Sequence, residues 1–221
     1  MHSRTLEIDG EKRVLEFGHE GVLYKSAFVM YDKYTNSKWN HATGQALAGP
    51  LAGRRLDILP ARLVRWSEWK REHPSGRVLL GTRREGFMGR FDGRSQPGEI
   101  GISTGRGPRS TLYPYDVLLE RGVVNDTVLR RPVVVTMDPE TRETSVFSRR
   151  LQDRTLTFRP LESEDDSGAT MRDDQTGSLW DRSTGEALEG PLEGRRLERE
   201  IAVTWRIDRW RDIYPEGERY E

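Results

Sequence analysis

No cysteine occurs in the 221 residues. Disulfides, thiolate nucleophiles and cysteine-ligated zinc or iron–sulfur sites are therefore excluded. No stretch approaches the run of about 18 apolar residues that a transmembrane helix needs. The start, MHSRTLEIDGEKR, lacks an apolar core and does not read as a secretory signal. A cytoplasmic location is the expectation, with an export segment further upstream left open. An excess of charge of one sign is also missing: 36 basic residues face 36 acidic ones. That argues against a general nucleic-acid binder and against polybasic attachment to a membrane. Lysine is scarce, with five residues, all between Lys12 and Lys70, beside 31 arginines. A GC-rich coding sequence accounts for this without function; anion binding by arginine is the alternative. The four histidines, His2, His19, His41 and His73, have no metal-ligand spacing. Neither a metal nor a cofactor is expected.

What the chain does have is a repeat. Residues 43–56 read TGQALAGPLAGRRL and residues 184–197 read TGEALEGPLEGRRL. The offset of 141 extends outward, pairing Asp32 with Asp173, Thr35 with Thr176, Ser37 with Ser178 and Trp39 with Trp180. Between residues 32 and 56, 15 of 25 positions are identical. The register then holds through Trp69/Trp210 and Pro74/Pro215. This is an internal duplication, and two copies suggest a pair of related units packed as one body.

The fold class is mainly β with a few short helices, either all-β or α+β. RVLEF (13–17) and GVLYKSAFVMYD (21–32) read as strands, and so do VVNDTV (123–128) and PVVVTM (132–137). LDILPARLVRW (56–66) reads as a strand interrupted at Pro60, and RVLL (77–80) as a short strand. ETSVFSRR and RTLTFRP read as a strand pair. SEWKREHP (67–74), YPYDVLLERG (113–122) and DRWRDIYP (208–215) read as short helices. GTRREGFMGRFDGRSQPGEIGISTGRGPRS (81–110), rich in Gly, Arg and Ser, reads as a linker or long loop. The acidic ESEDDSG (162–168) reads as an exposed loop. The units expected are a truncated first copy at 1–80, a linker at 81–97 and a complete second copy at 98–221.

The repeated phrase asks for turns. Gly44 and Gly185 follow a strand-like Trp segment, where glycine reaches positive φ without strain. Gly49-Pro50 and Gly190-Pro191 disfavour helix. Leu47, Leu51 and Leu56 match Leu188, Leu192 and Leu197, as expected of a packed loop with one wet face. Trp39 and Trp180 read as core. The functional alternative is an anion cradle that uses Arg54, Arg55, Arg195 and Arg196, although no phosphate-loop pattern surrounds them.

The order Asp32, Thr35, Ser37, Trp39, then 43–56, then Trp66, Trp69, His73 and Pro74 resembles the domain-of-unknown-function 3179 family of bacteria and archaea. LYPYDVLLERGVVNDTVLRRPVVVTMDPETRETSVF (112–147) looks like the preceding half of that family. The resemblance implies a Cys-Pro-Leu-Cys stretch after the strand, where this chain has Asp138-Pro139-Glu140-Thr141. It also implies a His-Glu pair where this chain has Arg121 and Gly122. A Cys-x-x-Cys with a nearby His suits a soft metal or thiol chemistry. Arg121, Asp138 and Thr141 therefore mark a vestigial site.

The favoured expectation is a non-catalytic binding or scaffold module, with a protein or small molecule held between the copies. An enzyme of unknown class, using carboxylates and arginines between the copies, is the second. An anion or phosphate binder is the third. Asp116, Asp126 and Asp138 near the vestigial site are candidates for a hard cation.

Overall fold

The computed structural model describes residues 1–59, 61, 64, 66–78, 97–161 and 169–221. The chain is mainly β in several sheets, with three short helices among the described residues. Residues 1–78 contribute a hairpin, β1 (Thr5–Ile8) and β2 (Glu11–Val14), then β3 (Phe17–Tyr24), β4 (Ala27–Asp32), β5 (Lys38–Asn40), β6 (Ala46–Ala48) and helix α1 (Trp66–Glu72). A 3-10 turn at Pro97–Glu99 leads into β7 (Ile100–Arg106), β8 (Arg109–Pro114), α2 (Tyr115–Arg121), β9 (Val123–Val128), β10 (Arg131–Met137) and β11 (Thr144–Ser148). A small hairpin follows, β12 (Arg150–Leu151) and β13 (Arg154–Thr155). Then come β14 (Phe158–Pro160), β15 (Thr170–Asp173), β16 (Leu179–Asp181), β17 (Ala187–Glu189), β18 (Ala202–Arg206), α3 (Ile207–Ile213) and β19 (Glu218–Arg219).

The duplication is structural. Sheet β3-β4-β5-β6 and sheet β14-β15-β16-β17 are antiparallel meanders with matching registers. Phe17 faces Asp32 as Phe158 faces Asp173, and Met30 faces Trp39 as Met171 faces Trp180. Each meander covers its own core. Leu15, Trp39, Ala46, Leu51 and Leu56 cluster in the first unit. Leu156, Trp180, Ala187 and Leu197, with Leu192 against them, cluster in the second.

The second unit has a further layer. β10 lies between β9 and β11 in one antiparallel sheet. Strand residues alternate between faces. Val134 therefore joins the meander core, while Val133, Val135 and Met137 join a second core with Ile102, Tyr113 and Leu118. A strand buried on both faces has no polar side to show, which is why PVVVTM runs apolar without alternation. The last sheet, β18-β7-β8-β19, carries α3, whose Ile207 and Trp210 pack on Leu112.

The two units part company near residue 1. In the second unit, Ser148 N donates to Glu198 O and Leu156 N to Arg149 O; in the first, Ser3 N donates to Asp57 O and Leu15 N to Arg4 O. His2-Ser3-Arg4 therefore stands where Phe147-Ser148-Arg149 stands, and hairpin β1–β2 is four residues longer than β12–β13. Ile8, on that longer hairpin, is buried in the first core. Among the described residues of 1–78 there is no counterpart of β7–β10. In keeping with this, Trp66 of α1 is 57% exposed, where its counterpart Ile207 is 7% exposed. The units touch where Ser26 Oγ meets Asp212 Oδ2 at 3.5 Å, at the tip of the β3–β4 turn.

Several local expectations change. Residues 21–32 are two strands, turned at Lys25 and Ser26, which both take positive φ. Residues 100–110 are hairpin rather than linker: a side chain on Gly101 would strike the Tyr113 carbonyl at 2.8 Å, so glycine there serves close packing. β11 pairs with β10, and RTLTFRP splits between β13 and β14. Arg77 and Val78 are not in a strand. Pro97, the last residue of the expected linker at 81–97, lies in the 3-10 turn; Pro60, Leu79, Leu80, residues 81–96 and the acidic stretch 162–168 lie outside the described residues.

Candidate functional site

The D-x2-T-x-S-x-W pattern is a hydrogen-bonded knot around one carboxylate. Asp173 accepts from Thr176 N (2.6 Å), Thr176 Oγ1 (2.8 Å), Ser178 N (3.1 Å) and Trp180 Nε1 (2.9 Å). Asp32 accepts from the equivalent Thr35, Ser37 and Trp39 groups. Both carboxylates are wholly buried. Burial works to raise the Asp32 pKa; the bonds from Trp39, Thr35 and Ser37 outweigh it and hold the pKa below the ordinary value. Ser37 Oγ and Ser178 Oγ then accept the N–H of Leu51 and Leu192, tying the knot to the repeated phrase.

The phrase folds back on the meander. Leu56 N donates to Gly44 O, and Leu197 N to Gly185 O. Gly44 and Gly185 have φ of 66° and 71°, and a Cβ on either would lie 2.7 Å from the ring of His2 or Phe147. Gly49 and Gly190, before Pro50 and Pro191, have φ near 95° and would meet the Ser37 or Ser178 backbone. Trp39 and Trp180 are fully buried in the two cores. Leu47 and Leu188 depart from the packed-loop expectation: they are 36% and 42% exposed, because they sit on the outer side of β6 and β17.

Three of the four arginines have partners in their own units, and Arg55 Nη1 also lies 3.9 Å from where a Cβ on Gly107 would be. Arg54 Nη2 donates to Glu7 O at 2.5 Å, and Arg55 Nη2 to Gln45 Oε1 at 3.3 Å. Arg196 pairs with Glu186, which faces it across a β-bridge. Arg195 is exposed beside it.

The fold brings together the end of α2 and the turn after β10, the segments where the family resemblance implies a reactive site. α2 ends at Gly122, whose φ is 67° and whose carbonyl accepts Met137 N at 2.9 Å. Asp138 Oδ1 accepts the N–H groups of Glu140 and Thr141, both at 2.8 Å, and Thr141 Oγ1 accepts Glu143 N. Asp138 and Thr141 thus shape the turn that follows β10. Arg121 faces elsewhere, donating to Tyr220 Oη and Glu221 O.

The residue that sequence reasoning missed is Arg182. It is 5% exposed, and a Cβ on Gly122 would lie 3.0 Å from its Nη1. Its Nε donates to Thr170 O at 2.7 Å; Nη1 reaches Met137 O at 3.4 Å and Nη2 reaches Leu161 O at 3.5 Å. Thr136 Oγ1 donates to the Arg182 carbonyl at 2.7 Å. Burial lowers the Arg182 pKa, and the charge of Asp138 works against that. The only available signal was that residue 182 is His41 in the other copy, with no second layer above it.

The remaining acids serve structure. Asp126 Oδ2 accepts Tyr113 Oη at 2.6 Å, and Asp116 Oδ1 accepts Val117 N. Asn125 exchanges two hydrogen bonds with the Phe158 backbone. Among the described residues, no three His, Cys, Asp or Glu side chains gather as metal ligands. Also among them, no helix is long and apolar enough to cross a membrane. An open crevice between the units is lined by Ala61 from the first and by Ile102, Ser145, Arg199 and Ala202 from the second.

No curated protein and no solved structure matches the chain. The sequence model of one family, "Protein of unknown function (DUF3179)", matches it twice, over residues 3–95 and 100–218. With the knot, the phrase and the four-stranded meander repeated at both matches, the chain belongs to the DUF3179 family, in tandem.

Proposed function

We propose that the chain is a non-catalytic binding or scaffold module, with its partner, a protein or a small molecule, held between the two units. The observation that carries this reading is Arg182. Its guanidinium closes over Gly122 and the β10 end, where the family resemblance implies a reactive site. The nearby polar groups are occupied as well, since the Asp138 carboxylate accepts backbone N–H groups. A crevice beside Ala61, lined from both units, is the place proposed for it. A cytoplasmic setting belongs to the same proposal.

A cation titration of the full chain by calorimetry tests the first part. Zn2+ and Mn2+ are expected to give no saturable binding; one cation per chain, lost in Asp138→Asn, would restore a hard-cation site. Affinity capture with the wild type and with Ala61→Arg tests the second. A partner bound by the wild type is expected to be lost from the variant. Equal capture by both would move the binding surface away from the crevice.

An anion binder finds less support, because Arg54, Arg55 and Arg196 are already paired within their units.

A further inference from the structure

The same backbone position is filled by Phe147 in one unit and by a titratable ring, His2, in the other. Phe147 is fully buried beneath Gly185, with the Arg199 guanidinium 4.9 Å above its ring. His2 lies beneath Gly44 and forms a β-bridge with Ile58, the counterpart of Arg199. Its Nε2 lies 3.3 Å from Ala42 O, and its Nδ1 is buried without a hydrogen-bond partner. Residues 1–3 are stitched to 57–59 by Ser3 N to Asp57 O and Leu59 N to Met1 O.

We propose that residues 1–4 form an acid-released latch on the first unit, with the His2 ring as the sensor. The neutral ring suits its site: Nε2–H donates to Ala42 O, and Nδ1 needs no donor. Protonation adds an N–H at Nδ1, which has no hydrogen-bond partner in its packed position. The Ala42 and His41 carbonyls favour the charged ring, and burial outweighs them. The segments packed on the ring are 1–4, 41–44 and 57–59. Their titratable and charged groups are the Met1 amino group, Arg4, His41 and Asp57. Asp57, the single carboxylate among them, is exposed. The pKa of His2 is lowered from 6.5, chiefly by burial and next by the Met1 amino group. The latch is at full strength above that pH and weakens as pH falls below it.

Hydrogen exchange on the full chain, between about pH 7.5 and about pH 5 and corrected for intrinsic rates, tests this. Protection at Ser3 and Leu59 is expected to fall about tenfold for each unit by which the folded pKa lies below 6.5. The matching amides of the second unit, Ser148 and Glu200, are expected to hold. His2→Phe, which copies the second unit, is expected to abolish the loss at Ser3 and Leu59. An equal loss in His2→Phe, or none in the wild type, overturns the proposal. Should His2→Phe not fold, NMR titration of the wild-type ring decides it. A midpoint below 6.5 supports the latch, and one at or above 6.5 refutes it.

Discussion

The Asp173 carboxylate holds the Trp180 indole N–H at 2.9 Å, with both residues out of solvent, and Asp32 holds Trp39 in the same way at 2.8 Å. Removing the acceptor takes away four hydrogen bonds at once and leaves the buried Trp180 indole N–H without its partner. Asp173→Ala is expected to destabilise the chain by about 3 kcal/mol or more, read by urea denaturation. A loss under about 1 kcal/mol would mean that the knot is not what fixes the indole.

Acid should act on Asp32 and on Asp181, whose Oδ1 accepts the N–H groups of Ser183 and Thr184. Asp32 and Asp181 both have pKa values below the ordinary 3.8; in each, burial pushes upward and hydrogen bonds outweigh it. The folded state therefore binds fewer protons than the unfolded one in this window. Their contribution is present in full above 3.8 and is lost as pH falls through the lower folded values. Asp32→Asn is expected to flatten the acid limb of a stability-against-pH curve. An unchanged limb would locate the acid sensitivity elsewhere.

Arg182 and Arg196 make a paired test of burial. Arg182→Ala removes the bonds to the Thr170, Met137 and Leu161 carbonyls and opens a cavity, at an expected loss of about 2–4 kcal/mol. Arg196→Ala removes an exposed pair and should cost below about 0.5 kcal/mol. Equal effects in thermal or urea unfolding would contradict the role given to Arg182.

The first unit has only a small core of its own, led by Trp39, Leu15 and Leu56, and an exposed Trp66. Residues 1–95 alone are expected to aggregate or unfold without cooperativity. A sharp calorimetric transition for that fragment would show that the two units are independent.

The parts of this fold that were legible in the sequence are those governed by local bonds. The Gly turns close within about fifteen residues, so spacing announces them; the Asp-Thr-Ser-Trp pattern was legible as a repeat, but the hydrogen bonds it makes were not. The helices at 66–72 and 207–213 were visible from their tryptophans and the following prolines. β7 was not, because Gly101 and Gly105 read as loop glycines; what requires them is the neighbouring strand, which local pattern cannot see. Arg182 was hidden for the same reason: its acceptors come from β10, β15 and Leu161. The four-residue insertion in the first hairpin concealed the match of His2 with Phe147. Shared partners reveal it: Asp57 and Glu198 for the next residue, and Ile58 and Arg199 across the bridge.

The twin meanders carry a consequence for how the chain reaches its native state. Leu56 closes on Gly44 and Leu197 on Gly185 through the same main-chain bonds. Such short-range closures form early in folding. A nascent chain therefore holds two interchangeable pieces, and either can seat against β10 before the other. Exchange of equivalent pieces is a known route to traps and swapped dimers. What separates the right partner from the wrong one is where the copies differ: Phe147 against His2, Arg182 against His41, and hairpins of unequal length. These differences act as an address label that directs each meander to its own place.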